Sequence, residues 1–398
     1  MIPINEKMLA FGEHSSVIRD IFEYGNKRRA EIGKENVFDF SIGNPSVPSP
    51  HDVNDALRAL LEKDPCEIHG YTSAAGDRAV RDAVAAYLNE KNGSALTADN
   101  IYMTCGAAAS LAIALNATVN AGDEVILFAP YFPEYVVFAE KAEAKVVCST
   151  CRKDDLTIDI PNLEASITEK TKAIIINSPN NPTGVVISKK TLSALSDVLR
   201  KKSKEYGHII YIISDEPYRE LVYDGVEVPF VPDYYDETVM CYSFSKSLSL
   251  PGERIGYVAV SEKATERQKL FSAICGAGRA LGYVCAPSIF QKMIPMCLGK
   301  TADISIYKKN RDILVSALKE YGYSLASPDG AFYLFVKALE DDAYAFCERA
   351  KKYDLLFVPS DGFGYKGYVR IAYCVDTDTV IRSLSSFKAL ANEYKNSK

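Results

Sequence analysis

A short apolar run, Ile209-Ile-Tyr-Ile-Ile213, leads directly into Ser214-Asp-Glu-Pro-Tyr218, so that a hydrophobic segment ends at an acidic residue. Similar runs, rich in β-branched residues and separated by helical patterns, lie on either side of it: Val125-Ile-Leu-Phe128, Ala173-Ile-Ile-Ile176 and Val239-Met-Cys-Tyr-Ser243. Runs that are apolar on both faces and alternate with helices indicate a mostly parallel sheet that is covered on both sides. The sequence therefore predicts a three-layer α/β domain.

Three polar residues, Asn181, Asp215 and Lys246, each follow one of these runs. Ligands of such sheets bind beyond the carboxyl ends of the strands. We therefore expect the three side chains to lie close together and to form part of one site.

The character of the sequence changes after residue 301. A helical stretch from Asp303 to Tyr321 leads to Pro328-Asp-Gly-Ala-Phe-Tyr-Leu-Phe-Val336, and shorter helices and strands follow. A chain of 398 residues also exceeds the size at which one hydrophobic core stops growing. We predict a large α/β domain over residues 46–301 and a smaller α+β domain made of residues 1–45 and 302–398.

The composition is that of an ordinary globular enzyme, with 47% hydrophobic and 25% charged residues. A net charge of −6 without any block of like charges argues against a surface for nucleic acid or anionic membranes. The N-terminus lacks the charged head and apolar stretch of a secretory signal, and the apolar runs are far shorter than the roughly 18 residues of a membrane span. The sequence predicts a cytoplasmic protein.

Cysteine and histidine do not form a metal-binding pattern. The ten cysteines lack the spacing of a disulfide framework, and we interpret them as reduced thiols. Cys148 and Cys151 form a CxxC pair without a second ligand pair, and no HxxxH spacing occurs among the histidines, which are His14, His51, His69 and His208. Gly276, Gly278 and Gly282 have the spacing GxGxxxG with no strand before them, so we predict neither a metal site nor a dinucleotide loop.

Lys246 stands in Ser243-Phe-Ser-Lys246, which is followed by Leu250-Pro-Gly-Glu-Arg254-Ile-Gly256. A lysine amine acts as a nucleophile toward a carbonyl group, and pyridoxal phosphate is a cofactor that provides one. A site for this cofactor must hold a phosphate dianion, keep the ring nitrogen protonated and present the amine to the aldehyde. The sequence offers candidates for all three tasks.

The phosphate candidates include a predicted turn from a strand into a helix, Thr104-Cys-Gly-Ala-Ala-Ala-Ser-Leu111. Backbone N–H groups at a helix N-terminus would face the anion there, although small residues at a helix start more often indicate tight packing. A serine hydroxyl and an arginine from the lysine segment would complete a phosphate cup with a charged clasp. The candidates are Gly106, Ala107, Ala108, Ser243 and Arg254.

The ring candidates follow the central runs. Asp215 beside the pyridine nitrogen would keep that nitrogen protonated; the alternative for an aspartate in this position is a helix cap. Tyr218 and Asn181 would hydrogen-bond the ring hydroxyl. Phe132 would stack on one face of the ring and Pro217 would cover the other, although Phe132 alone would be interpreted as a core residue.

In their order and spacing these motifs resemble the class I and II aminotransferases, the fold-type I family of pyridoxal phosphate enzymes that includes aspartate aminotransferase. S-x-S-K followed by P-G-x-R-x-G carries most of the resemblance, NPTG and D-E-x-Y add to it, and the match extends from about Ser41 to Tyr373. The resemblance implies a large domain with a three-layer, mostly parallel sheet and a smaller α+β domain.

The resemblance also implies a role for each cofactor residue. Lys246 would form the Schiff base with pyridoxal phosphate and would then move the proton between the substrate Cα and the cofactor. Asp215 would pair with the ring nitrogen, and Tyr218 and Asn181 would bind the ring oxygen.

Further residues would bind the substrate and a second subunit. Arg370, in Gly367-Tyr-Val-Arg-Ile-Ala-Tyr373, would form a bidentate pair with the substrate α-carboxylate, with help from the backbone at Gly43. Tyr71 resembles the family tyrosine that reaches the phosphate of the neighbouring subunit, which implies a homodimer.

The sequence departs from the family pattern at three places. Ala107 and Ala108 stand where many relatives have a hydroxyl-bearing or long side chain, which leaves only backbone donors. Ser360-Asp361 replaces a glycine-containing turn before Phe363-Gly364. Phe132 stands where some members have tryptophan or tyrosine, and stacking would survive that change.

The implied activity is transfer of an amino group from an L-amino acid to a 2-oxo acid, with 2-oxoglutarate as the expected acceptor in a ping-pong mechanism. β-Elimination, as in a C–S lyase, is the alternative on the same fold. A cofactor-sensing regulator would carry an added DNA-binding segment, for which we expect no room before Ser41. Arg279 could bind a side-chain carboxylate across the dimer or could be a solvated surface arginine, so the amino donor stays open.

Overall fold

The structure, a computed structural model, describes residues 4–13 and 17–396. In these residues the strands are β1 (Phe38–Asp39), β2 (Ile101–Thr104), β3 (Glu124–Ala129), β4 (Lys145–Thr150), β5 (Thr171–Asn177), β6 (Tyr211–Asp215), β7 (Thr238–Ser243), β8 (Gly256–Val260), β9 (Tyr333–Lys337), β10 (Leu355–Leu356), β11 (Val358–Pro359) and β12 (Tyr368–Ala372). The helices are α1 (Glu6–Glu13), α2 (Val17–Ile32), α3 (His51–Leu61), α4 (Pro65–His69), α5 (Arg78–Asn92), α6 (Ala107–Thr118), α7 (Glu134–Lys141), α8 (Ile160–Ser166), α9 (Lys189–Tyr206), α10 (Phe244–Ser247), α11 (Arg267–Leu281), α12 (Ser288–Cys297), α13 (Ser305–Tyr321), α14 (Ala343–Ala350) and α15 (Thr377–Asn396).

A seven-stranded sheet in the order β2-β8-β7-β6-β5-β3-β4 forms the centre of the molecule. Its strands pair in parallel from β7 to β4, whereas β8 runs antiparallel to both of its neighbours. The four apolar runs of the sequence correspond to β3, β5, β6 and β7, which confirms the prediction of a mostly parallel α/β sheet.

The sheet is covered on both faces, because alternate residues of one strand point to opposite sides. Ile175 packs in a core with α6 and α11, whereas its neighbours Ile174 and Ile176 pack in another core with α8 and α9. Three layers therefore enclose the central strands, as predicted from runs that are apolar on both faces.

A second, smaller sheet is antiparallel and has the order β11-β12-β9. It packs with α13, α14 and α15 around a core of its own. The short parallel pair β1-β10, in which Phe38 lies opposite Leu355, ties the N-terminal part of the chain to this region. We propose on this basis that the domains have the expected bounds, 46–301 for the large one and 1–45 with 302–398 for the small one; residues 1–3, 14–16 (with His14) and 397–398 lie outside the described residues.

Two glycines at the end of α11, Gly278 and Gly282, have structural roles. A Cβ on Gly278 would lie 2.3 Å from the Tyr102 hydroxyl oxygen, so only glycine lets the helix approach the sheet there. Gly282 ends the helix with a φ of 78°, a left-handed conformation that favours glycine. Every helix within residues 4–13 and 17–396 is too short or too polar to serve as a membrane span.

Candidate active site

A cavity of about 300 Å³ lies at the carboxyl ends of the central strands, where the large sheet faces β12 of the small one. Its lining residues come from the large sheet and its helices, from the small sheet and from the N-terminal segment. The predicted site residues on its wall are Gly43, Ala107, Ala108, Phe132, Asn181, Asp215, Pro217, Tyr218, Ser243, Lys246, Arg254 and Arg370. The strand-end prediction thus holds: residues far apart in sequence meet in one site.

Asp215 is the last residue of β6 and is 5% exposed. The Tyr135 hydroxyl donates a hydrogen bond of 2.5 Å to Oδ2, whereas Oδ1 is buried without a partner among the described residues. Burial raises the pKa of this carboxyl to about 7, although the bond from Tyr135 lowers it. In the described part of the chain the carboxyl caps no helix, and its Oδ1 fits a cationic N–H donor in the cavity.

Lys246 lies on α10, a single turn that starts after Ser243. Its Nζ donates a hydrogen bond of 2.7 Å to the backbone oxygen of Gly43. Burial is the largest cause that lowers the pKa of the amine to about 8, and the charges of Arg370 and Arg254 lower it further. A larger fraction of the amine is therefore neutral near physiological pH, as a nucleophile requires.

The N-terminus of α6 and the side chain of Arg254 form one end of the cavity. Gly106 precedes the helix with a φ of 88°, and a Cβ on it would lie 3.0 Å from Nη2 of Arg254. The hydroxyl oxygens of Ser243 and Ser245 lie 2.7 Å apart beside them. A helix N-terminus, a guanidinium and two hydroxyls together suit an anion such as a phosphate.

Arg370 occupies the opposite wall, on β12, and is 2% exposed. Its Nη1 donates to Asn181 Oδ1 at 3.1 Å and its Nη2 to the backbone oxygen of Ser41 at 2.5 Å. Its Nε has no partner, and the guanidinium forms no ion pair with any residue that the structure describes. A buried cation without a counter-ion fits a carboxylate ligand.

Two candidate residues do not join this site within the chain. Tyr71 is 99% exposed and is not on the cavity wall. Arg279 is also exposed, near the end of α11. Of the cysteines in the CxxC pair, Cys148 is exposed and Cys151 is buried, and the described residues hold no group of three or more potential metal ligands.

The unusual turn before Phe363 is a short 3-10 helix, Ser360–Phe363. The buried hydroxyl of Ser360 accepts a hydrogen bond of 2.9 Å from the backbone N–H of Tyr368. The turn places the Phe363 ring centroid 5.2 Å from the Arg370 guanidinium. The substituted turn therefore still supplies an aromatic neighbour to the arginine.

Sequence reasoning missed three polar residues of the cavity, namely Tyr135, Ser245 and Tyr333. Ser245 is the middle serine of S-x-S-K, so the motif itself contained the signal. Tyr135 lies three residues after Phe132, in the same turn at the start of α7. Tyr333 belongs to a stretch that the sequence identified only as part of the small domain.

Comparison with known proteins shows which family this chain resembles over most of its length. The family model "Aminotransferase class I and II" matches residues 35–387. An aspartate aminotransferase of Thermotoga maritima is 30% identical over 381 residues, which are 94% of this chain and 97% of that protein.

Two solved structures and a relative with a different substrate extend the comparison. An amino transferase from Eubacterium rectale is 55% identical with a TM-score of 0.97, covering 99% of this chain and 100% of that one. The Thermotoga maritima aspartate aminotransferase is similar in structure with a TM-score of 0.87 at 27% identity, covering 98% and 100%. A (5-formylfuran-3-yl)methyl phosphate transaminase of Methanocaldococcus jannaschii is 29% identical over 98% of this chain and 100% of that protein. The chain belongs to the family of class I and II aminotransferases.

Proposed function

We propose that the protein uses pyridoxal 5′-phosphate to move an amino group from an L-amino acid to a 2-oxo acid, with 2-oxoglutarate as the acceptor in a ping-pong cycle. The observation that carries this proposal is the arrangement of one cavity. It holds an amine with a lowered pKa between an anion-binding end and a buried guanidinium that has no carboxylate partner among residues 4–13 and 17–396.

The residues present fit the cofactor. The N-terminus of α6, Ser243, Ser245 and Arg254 would hold the phosphate, with Gly106 allowing the close approach. The free Oδ1 of Asp215 would accept the ring N–H. When bound, pyridoxal phosphate supplies an aldehyde for amines and a ring that withdraws electrons from the substrate Cα.

Three further residues would position the ring. Tyr218 and Asn181 would donate to its oxygen, and Phe132 would lie along one face, since all three line the cavity. The Phe132 ring is itself fixed by an edge contact with Tyr135, whose centroid is 5.6 Å away. Tyr135 therefore supports the part of the cavity wall that Phe132 forms.

Asp215 would act as the anionic partner of the ring nitrogen. In the protein alone its raised pKa leaves the carboxyl partly protonated near neutral pH. A positive N–H at Oδ1 favours the ionised form and would lower that pKa. The carboxylate would then keep the nitrogen protonated.

Lys246 would act as the base at the substrate Cα. As a free amine, Nζ would take the Cα proton of the substrate. Its hydrogen bond to the Gly43 oxygen keeps the amine inside the cavity. Gly43 itself packs closely against the site, because a Cβ on it would lie 2.0 Å from the Tyr333 hydroxyl oxygen.

Arg370 would bind the α-carboxylate that all amino acid and 2-oxo acid substrates share. Guanidinium stays charged throughout the physiological range and can pair with both carboxylate oxygens. The partners at Ser41 and Asn181 orient it in advance. Both substrates of the cycle would use this same contact.

We further propose a homodimer in which Tyr71 reaches the phosphate end of the neighbouring cavity. An almost fully exposed tyrosine next to a glycine on a single chain is well placed to contact a second copy. Arg279, exposed as well, is our candidate for a side-chain carboxylate across that dimer.

The amino donor requires an experiment, because relatives of similar identity are named for different substrates, among them aspartate and (5-formylfuran-3-yl)methyl phosphate. We would test a panel of L-amino acids with 2-oxoglutarate and with pyruvate as acceptors. Transamination requires an acceptor and gives parallel lines in double-reciprocal plots, as expected for ping-pong kinetics. Pyruvate and ammonia released without an acceptor would instead establish β-elimination.

Arg279→Ala tests the second contact across the dimer. If Arg279 binds a side-chain carboxylate, this variant should raise KM for aspartate and leave KM for donors without a side-chain carboxylate unchanged.

A further inference from the structure

Tyr333 lies where the two sheets meet. It begins β9 of the small sheet and is buried. The residues just before it are hydrogen-bonded to the large region: the Gly330 N–H donates to the Gly184 oxygen at 2.9 Å, and the Ala331 N–H to the Leu221 oxygen at 2.8 Å. The position of Tyr333 relative to the cavity is therefore fixed from both sides.

The hydroxyl of Tyr333 lies 2.9 Å from the hydroxyl of Tyr218. Each hydroxyl has a single proton, so one of the two must donate and the other accept. When Tyr333 donates, the proton of Tyr218 is free for an acceptor in the cavity. Burial raises the pKa of both phenols, so both protons stay in place.

A chain of two hydroxyls strengthens the terminal donor, because each hydrogen bond polarises the next one. Tyr218 would therefore donate more strongly to a cavity acceptor with Tyr333 behind it than alone. The Tyr218 ring also contacts Tyr333 edge to face, with centroids 5.7 Å apart, which limits its rotation.

The ring of Tyr333 has a second contact, with Arg370. The guanidinium carbon lies 4.8 Å from the ring centroid, within the range of a cation–π interaction. Tyr333 pairs with Ala372 in the antiparallel β9-β12 sheet, so Arg370, two residues before Ala372, is its diagonal neighbour. The hydroxyl of Tyr333 thus contacts Tyr218, whereas its ring contacts Arg370. A substitution that removes only the hydroxyl can therefore separate the two contacts.

We propose that Tyr333 is a positioning residue with two separable actions: its hydroxyl directs the Tyr218 proton toward the ring oxygen of the cofactor, and its ring orients Arg370 for the substrate carboxylate. The inference rests on the proposed function, since it needs a bound cofactor and a carboxylate substrate. Neither action requires Tyr333 to touch a reacting atom.

The test uses the holoenzyme reconstituted with pyridoxal phosphate and compares Tyr333→Phe with Tyr333→Leu. The first readout is the pH midpoint at which the visible absorbance of the bound cofactor changes. A hydrogen bond to the ring oxygen stabilises its negative charge, and that charge otherwise helps the adjacent Schiff-base nitrogen to keep its proton. Both variants lack the hydroxyl that polarises Tyr218, so the Tyr218 hydrogen bond to the ring oxygen weakens and the midpoint should rise by about 0.2 to 0.5 unit in both.

The second readout is the inhibition constant of propionate, which offers a carboxylate and no amino group. Tyr333→Phe keeps the ring and should leave this constant within about twofold, whereas Tyr333→Leu should weaken propionate about fivefold. Tyr323→Phe is the matched control, since it removes a buried hydroxyl that donates to the Phe387 oxygen at 2.9 Å in the small-region core. It should change neither readout.

A wild-type midpoint in Tyr333→Phe would overturn the action of the hydroxyl, and unchanged propionate binding in Tyr333→Leu would overturn that of the ring. Circular dichroism checks folding, and Tyr333→Met replaces the leucine variant if the latter does not fold. A wild-type protein that shows no visible band with pyridoxal phosphate would contradict the proposed function itself, so the two failures are distinguishable.

Discussion

Replacing Asp215 with asparagine should stabilise the cofactor-free protein at neutral pH while it abolishes turnover. The carboxyl is buried, accepts one hydrogen bond and has one oxygen without a partner, and burial raises its pKa to about 7. In the unfolded chain an aspartate has a pKa of about 3.9. The folded state therefore binds this proton more tightly than the unfolded state does.

The direction in which stability changes with pH follows from this difference in pKa between the folded and unfolded states. Between the two pKa values a rise in pH removes the proton from the unfolded state first, so the free energy of unfolding falls as pH rises. At about 1.4 kcal/mol per pKa unit, the wild type should lose about 2 to 3 kcal/mol relative to Asp215→Asn between about pH 5 and about pH 8. Above the folded pKa the difference stays constant, because both states are then ionised.

Urea denaturation followed by circular dichroism measures this difference, since the chain contains no tryptophan for fluorescence. Asp197→Asn, at an exposed aspartate paired with Arg200, is the control and should track the wild type at every pH. Added pyridoxal phosphate should stabilise the wild type more than the variant, because a cationic N–H would offset the buried charge. A difference between wild type and Asp215→Asn that does not change with pH would refute the reasoning.

Lys246→Ala should keep the circular dichroism of the wild type but lose turnover and the visible band of bound cofactor; turnover near the wild-type level would contradict the assignment of the nucleophile. Arg370→Ala should lower kcat/KM about 100-fold or more for every amino donor, because the lost charge-assisted hydrogen bonds go to a carboxylate that all donors share; a loss confined to one donor would assign Arg370 to side-chain recognition instead. Tyr71→Ala should raise the dissociation constant of pyridoxal phosphate about tenfold, the effect of one hydrogen bond to a charged group. A mixed dimer with Lys246→Ala should then have one cavity with both defects and one with neither, so its activity should saturate at the wild-type concentration of pyridoxal phosphate. A mixed dimer that still needs about tenfold more cofactor would argue that Tyr71 acts within its own chain.

The central strands could be predicted because their apolar pattern is local. The run Ile209–Ile213 nevertheless extends two residues before β6, which begins at Tyr211. The Ile210 N–H donates to the Ser203 hydroxyl at 3.2 Å, and the Ile210 oxygen accepts from the Tyr235 hydroxyl at 2.8 Å. These side-chain partners replace strand partners, and no local pattern indicates them.

The site could be predicted where a motif names the residue, as for Lys246 and Arg254, and not where a partner depends on three-dimensional packing. Tyr135 reaches Asp215 from the start of α7, 80 residues away in sequence. Tyr333 reaches Tyr218 across 115 residues. Sequence spacing gives no measure of such distances, because the order of strands in the sheet decides them.

Ser41 and Asn181 accept hydrogen bonds from two of the three nitrogen atoms of Arg370, so the guanidinium is already held in the cavity wall. A receptor group that is already fixed gives up little conformational freedom when its ligand arrives. In the proposed cycle the incoming amino acid and the incoming oxo acid would find the same anchor in the same place. Selectivity between substrates would then have to arise from the rest of the cavity, so changing the donor that this enzyme prefers should not require changing its arginine.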